Sequence, residues 1–164
     1  GNIECLEYLL DLNCPVVDAV HYACQPGRIN CLQLLREHGV SWDKGAAEAA
    51  AQYNQLECLQ YLHENGCPWD TQVSTEAAKE GNADILQYCL KNGCPYEDDI
   101  FIFAAAGNRS ALDCVRYIVE EQGMYMDENG EVFAVAFGNA DRELMEYLLD
   151  NGCPYQNYSD TAPF

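Results

Sequence analysis

"YLHENGCPWD", residues 61–70, sets Cys67 between Gly66 and Pro68. Nearly the same wording returns as "YCLKNGCPYE" (88–97) and "YLLDNGCPYQ" (147–156). Each copy reads as a helix that stops. Glycine tolerates the left-handed conformation just past a helix end, and the following proline cannot continue the helix. Looser versions of the stop stand at "LNCP" (12–15), "HGVSW" (38–42) and "QGMYM" (122–126). The steps between Cys14, Val40, Cys67, Cys94, Met124 and Cys153 are 26, 27, 27, 30 and 29 residues. A period in this range marks a repeat architecture.

A second phrase keeps the same step: "ECLEYLL" (4–10), "NCLQLLR" (30–36), "ECLQYLH" (57–63), "DILQYCL" (84–90), "DCVRYIV" (113–119) and "ELMEYLL" (143–149). Gly1, Gly27, Asn54 and Gly81 precede it as tight returns, and alanine-rich segments such as "AAA" (49–51) and "EAA" (76–78) precede those. Each unit therefore reads as two short antiparallel helices, the first lined with alanine for close approach, the second amphipathic. Asp43, Asp70, Glu97 and Asp127 follow the stops, where an acidic residue suits the start of the next helix. A pair of about 27 residues cannot bury its apolar face alone, and stacking neighbours does it.

The fold predicted is an all-α solenoid of antiparallel helix pairs. It comprises a half unit at 1–15, units at about 16–42, 43–69, 70–96, 97–126 and 127–155, and a tail at 156–164. The chain opens on Gly1 in mid-repeat. A processed form or a piece of a longer array is expected, with an apolar flank on the first helix.

This pattern resembles ankyrin repeats. "AVHYAC" (19–24) is similar to the family's Leu-His-x-Ala-Ala segment, with His21 in the histidine place. "YLHENGCPWD" is similar to its Leu-Leu-x-x-Gly-Ala-Asp close, with Cys67 replacing the alanine. The family period is about 33 residues, so units of 26 or 27 lack about six, and the Thr-Pro pair is missing. The shortfall falls where ankyrins build hairpin fingers, so stunted fingers are expected. The "NGCPW" wording is similar to divergent short arrays in large DNA viruses, protists and algae. The resemblance implies a protein-binding scaffold, in some family members an adaptor.

The composition narrows the function. Hydrophobic residues make up 49% of the chain, enough for a core and against disorder. Apolar runs are far shorter than the ~20 residues of a membrane helix, and no secretory leader is visible. There are 27 acidic and 8 basic residues, a net charge of −19. Such a surface repels phosphate backbones, so nucleic acid is a poor partner, and a basic protein surface is the natural counterpart.

Ten cysteines call for an account. Cys5, Cys31, Cys58 and Cys114 share a column with Ile85 and Leu144; Cys14, Cys67, Cys94 and Cys153 share one with Val40 and Met124. A metal ligand or disulfide partner cannot be exchanged for Val or Ile while the unit is kept, whereas a small buried hydrophobe can. Same-column residues on helices stacked roughly 8–10 Å apart also exceed the ~7 Å limit for a bridge. Structural thiols, no metal, no cofactor and a reducing, intracellular (cytoplasmic) setting are therefore expected. The three histidines fall in no nucleophile signature, and "DENGE" (127–131) lacks calcium-loop spacing, so no catalytic residue is assigned and no enzyme activity is expected.

Trp42, Trp69 and Tyr96 recur after the stops, where they either pack on the next unit or anchor a partner. The first turns of the leading helices vary freely, and "DDIFIF" (98–103) is the most apolar of them. Trp42, Trp69, Tyr96, Phe101 and Phe103 are thus the candidate contacts to a protein partner. The expected function is a non-catalytic interaction scaffold or adaptor. The alternative is a structural subunit embedded in a larger assembly.

Overall fold

The structure, a computed structural model, describes residues 3–12, 14, 16, 18–123 and 129–155. The expected tail at 156–164, the cap position Asp127, and Met124 and Met126 lie outside them. The described residues form eleven helices and no strand: α1 (Ile3–Asp11), α2 (Ala19–Cys24), α3 (Ile29–Glu37), α4 (Lys44–Gln52), α5 (Leu56–Glu64), α6 (Thr71–Lys79), α7 (Ala83–Lys91), α8 (Ile100–Ala105), α9 (Ala111–Glu120), α10 (Glu131–Gly138) and α11 (Arg142–Asp150).

The helices lie in two rows. The leading helices α2, α4, α6, α8 and α10 pack in succession, and so do α1, α3, α5, α7, α9 and α11. Each leading helix also packs on the helix that follows it in the chain. This is a helical solenoid.

Alanine explains the first row. Ala46, Ala47, Ala49, Ala50 and Ala51 of α4, with Ala77 and Ala78 of α6, are buried. Side chains this small let helices approach closely, so close that a Cβ on Gly107 would stand 2.8 Å from the Ala78 carbonyl oxygen. Leucine and isoleucine fill the space between rows: Leu32, Leu35, Leu59, Leu62, Ile85, Leu86, Ile118, Leu144 and Leu148 are all fully buried.

Two closures repeat along the chain. After the second helix of a unit, the amide N–H of the stop-column residue donates to a carbonyl five residues back. The pairs are Cys14–Leu9 (3.0 Å), Val40–Leu35 (3.0 Å), and Cys67–Leu62, Cys94–Cys89 and Cys153–Leu148 (2.9 Å each). Gly39, Gly66, Gly93 and Gly152 supply the positive φ this six-residue closure requires. After the leading helix the same geometry returns in Arg28–Ala23, Gln55–Ala50, Asn82–Ala77 and Asp141–Ala136. There Gly27 and Gly81 adopt the left-handed conformation, and so do Asn54 (φ 57°) and Ala140 (φ 55°), which carry a Cβ.

The expected acidic caps are realised in part. The Asp70 carboxylate accepts from the Gln72 amide at 3.0 Å, which caps α6. Asp43 precedes α4 without a side-chain cap, and Glu97 instead accepts from the Thr71 hydroxyl at 3.0 Å. Glu97 stands too far ahead of α8, which begins after Asp99.

Candidate functional site

The aromatic residues after the stops are drawn into the joints between units. Trp42 packs on Tyr61 of α5, ring centroids 5.7 Å apart, while the Arg36 guanidinium of α3 lies 5.4 Å from the Trp42 ring. Trp69 stacks on His63 of α5 at 3.9 Å and meets Tyr88 of α7 edge-on at 6.2 Å. His63 Nδ1 and the Tyr88 hydroxyl are hydrogen-bonded at 2.8 Å. Each joint thus sets an aromatic ring between a side chain of its own unit and a tyrosine of the next. The pattern continues with Lys91 over Tyr117 and Arg116 over Tyr147. Cations above rings add attraction where water is partly excluded.

Trp42 and Trp69 are half-buried, so each keeps an outward edge, whereas Tyr96 is 46% exposed. The structure separates the two phenylalanines from this row. Phe101 is buried in the core with Ile100, Ala104 and Ala105, which corrects its candidacy as a surface contact. The first turn of α8 is apolar because its residues are core residues, not because they wait for a partner. Phe103 is half-buried beneath the Lys79 ammonium of α6, 5.1 Å from the ring centre.

A groove of about 520 Å³ opens between the starts of α2 and α4, with apolar walls from Val16, Val20 and Val40. Asp18 and Asp43 place two carboxylates on it, and His21 and Tyr22 complete one side. A cleft of mixed polarity with valine walls and two anionic groups is suited to a lysine or arginine side chain, which has an apolar stem and a charged head. Sequence reading passed over it because its residues come from two units that no single motif spans.

The basic residues are largely engaged within the chain. Lys44 bridges to Asp70 at 2.7 Å, Lys79 to Glu76, Arg116 to Glu120, and Arg142 to Glu146. Arg36 and Lys91 lie over rings, and Arg109 donates to the Asn82 amide oxygen at 3.0 Å. The Lys44 contact holds the Asp70 carboxyl below its ordinary range and raises Lys44 in turn. With 27 acidic and 8 basic residues, most carboxylates have no basic residue of the chain left to pair with.

The thiols behave as core groups with one added function. Burial pushes Cys24 and Cys114 up to about 12, and Cys58 and Cys67 up to about 11. The stop-column thiols also tie the end of a unit to its own start: Cys67 Sγ donates to the Asp43 carbonyl at 3.2 Å, and Cys94 Sγ to the Asp70 carbonyl at 3.4 Å. The equivalence with Val40 concealed that donor. Among the described residues, no group of three or more His, Cys, Asp or Glu side chains is placed to hold a metal ion, and no helix is long and apolar enough to cross a membrane.

A search of the curated proteins gave no match to the chain. A family model described as ankyrin repeats (3 copies) matches residues 1–75. Ankyrin repeats are generally protein–protein interaction modules. The likeness to viral and protist arrays has no support beyond the wording of the stops. Residues 1–75 match the ankyrin-repeat model, and the helix pair found there recurs as far as α11.

Proposed function

We propose that this chain is a non-catalytic interaction scaffold whose curved, acidic repeat surface binds a basic protein partner, and that residues 1–155 work as one continuous array. The observation that carries this reading is the internal engagement of Lys44, Lys79, Arg116, Arg142, Arg36, Lys91 and Arg109, seven of the eight basic side chains. With those cations occupied, a net charge of −19 acts outward as an attractive field for positive surfaces. A scaffold already folded loses little freedom on binding. The groove holding Asp18 and Asp43 receives a cationic side chain of the partner, and the exposed Tyr96 with the outer edges of Trp42, Trp69 and Phe103 gives apolar contact. Cysteines kept as free thiols fit a reducing, intracellular setting.

The test is affinity capture with the intact chain at low and high salt, beside an Asp18→Asn, Asp43→Asn double variant of unchanged helicity. The reading expects a basic protein, released by salt and held less well by the variant. Capture insensitive to both, or of acidic proteins alone, would contradict it. Elution of the isolated chain as a monomer supports an adaptor; aggregation favours the embedded subunit, for which the exposed Ile3, Tyr8, Leu9 and Leu12 of the first helix and its turn speak.

A further inference from the structure

Cys89 and Cys94 meet at one helix end. Cys89 is the third-last residue of α7, and Cys94 follows the left-handed turn at Gly93. The Cys94 amide donates to the Cys89 carbonyl at 2.9 Å. Each Cα is within two bonds of those paired atoms, so the two Cα atoms are at most about 7 Å apart, which is within disulfide range. This kind of closure brings the two side chains that flank it into contact. The corresponding pairs are Leu9–Cys14, Leu35–Val40, Leu62–Cys67 and Leu148–Cys153. Of these closures, the one after α7 alone carries sulfur on both sides.

Both cysteines are buried, yet the turn above them is open: Lys91, Asn92, Gly93 and Pro95 are exposed. The thiols interact directly. A hydrogen bond from Cys89 draws Cys94 below the ordinary thiol value, against burial, and the Ser74 amide assists. The same contact, with burial, raises Cys89. Cys94 is therefore the first of the pair to ionise, and Cys89 keeps its proton.

We propose that Cys89 and Cys94 are a proximal dithiol that peroxide converts into an intramolecular disulfide across the end of α7. The Cys94 thiolate attacks one peroxide oxygen and the O–O bond breaks. The hydroxide released takes up a proton as water, leaving Cys94 as a sulfenic acid. The Cys89 sulfur then attacks the Cys94 sulfur, the S–OH bond breaks, and hydroxide leaves with the Cys89 proton as a second water. Two thiols and one hydrogen peroxide give one disulfide and two waters, and two electrons pass from sulfur to oxygen. Opening the last turn of a nine-residue helix admits so small an oxidant without unfolding the array. The bond links residues five apart within one unit, a pairing distinct from the same-column pairs that stacking keeps apart.

Peptide mapping of the peroxide-treated full chain tests this. Trypsin cleaves after Lys79, Lys91 and Arg109, so peptides 80–91 and 92–109 carry Cys89 and Cys94 respectively, each as the only cysteine. The expected product is these two peptides joined, lighter by two hydrogens and separated by reductant. It should form at doses that leave Cys24, Cys58 and Cys114 open to alkylation after unfolding. Cys89→Leu, which installs the residue found at Leu62 and Leu148, should abolish the product and leave Cys94 trapped by a sulfenic-acid reagent. Unlinked peptides under a dose that has already oxidised the exposed Cys5 would overturn the proposal. So would linkage of either cysteine to a different one.

Discussion

Asn82 shows what one residue does in a stacked array. It is buried, donates to the Ala51 carbonyl at 2.8 Å and accepts from Arg109, so it ties three successive units. Asn82→Ala removes both of these links, leaving the Ala51 carbonyl only its long bond from the Asn54 amide at 3.3 Å, and should cost about 1 kcal/mol, read from urea denaturation. Phe101 has a comparable standing. Phe101→Ala should lower stability by about 3–5 kcal/mol, as loss of a buried ring does, whereas Tyr96→Ala should leave stability nearly unchanged. Burial also fixes the sign of a pH dependence. Cys24, Cys58, Cys67 and Cys114 have folded-state values of about 11 to about 12 against 9.0 when exposed. Between those values the unfolded chain has lost protons that the folded chain keeps, so stability falls as pH rises from about 9. Thermal midpoints taken from pH 8 to pH 10.5 should decline, and less steeply in Cys24→Ala. A flat profile would show that these thiols do not titrate as buried groups.

At the scale of the element, the turns carry the strain and the caps relieve it. Ala140 is held at φ 55°, a conformation that costs a residue with a Cβ roughly 1–2 kcal/mol. Ala140→Gly should therefore raise stability by up to about 1 kcal/mol. Gly81→Ala should do the opposite and more strongly, because at φ 67° its Cβ would stand 2.6 Å from the Ser110 amide nitrogen. Asp70→Ala removes the α6 cap and should cost about 1 kcal/mol. Much of this layer was legible in the letters. The Asn-Gly-Cys-Pro stops placed the helix ends, and the Gly or Asn ahead of each leucine-rich phrase placed the returns at Gly27, Asn54 and Gly81. Contacts between units were not legible. Whether Glu97 caps its own helix or accepts from Thr71 depends on a neighbour 26 residues away, and whether an apolar first turn faces the core depends on the angle of α8. Periodicity in one unit specifies neither. For the same reason Phe101 was misplaced, while Trp42 and Trp69, read as either packing or anchoring, turn out to be joint residues with exposed edges.

At the scale of the molecule, stability is shared between neighbours. Leading helices pack on leading helices and second helices on second helices, each flank sealed by the adjoining unit. Interior units have two such interfaces and terminal ones fewer, so resistance to local opening should be graded along the chain. The exposed Ile3, Tyr8 and Leu9 of α1, and Phe137 and Leu149 of α10 and α11, mark the flanks without a described neighbour. On the function proposed above, it is this surface, with most of its cations engaged within the chain, that a basic partner meets. Among the closures described, the one after α7 alone brings two sulfurs together, and it does so within a single unit.

Native-state hydrogen exchange, resolved by helix, tests the stacked-array account most directly. It predicts the slowest amides in α4 to α7, with protection decreasing stepwise toward α1 at one end and α11 at the other. Uniform protection lost in a single step, or the slowest exchange in α1 or α11, would contradict it.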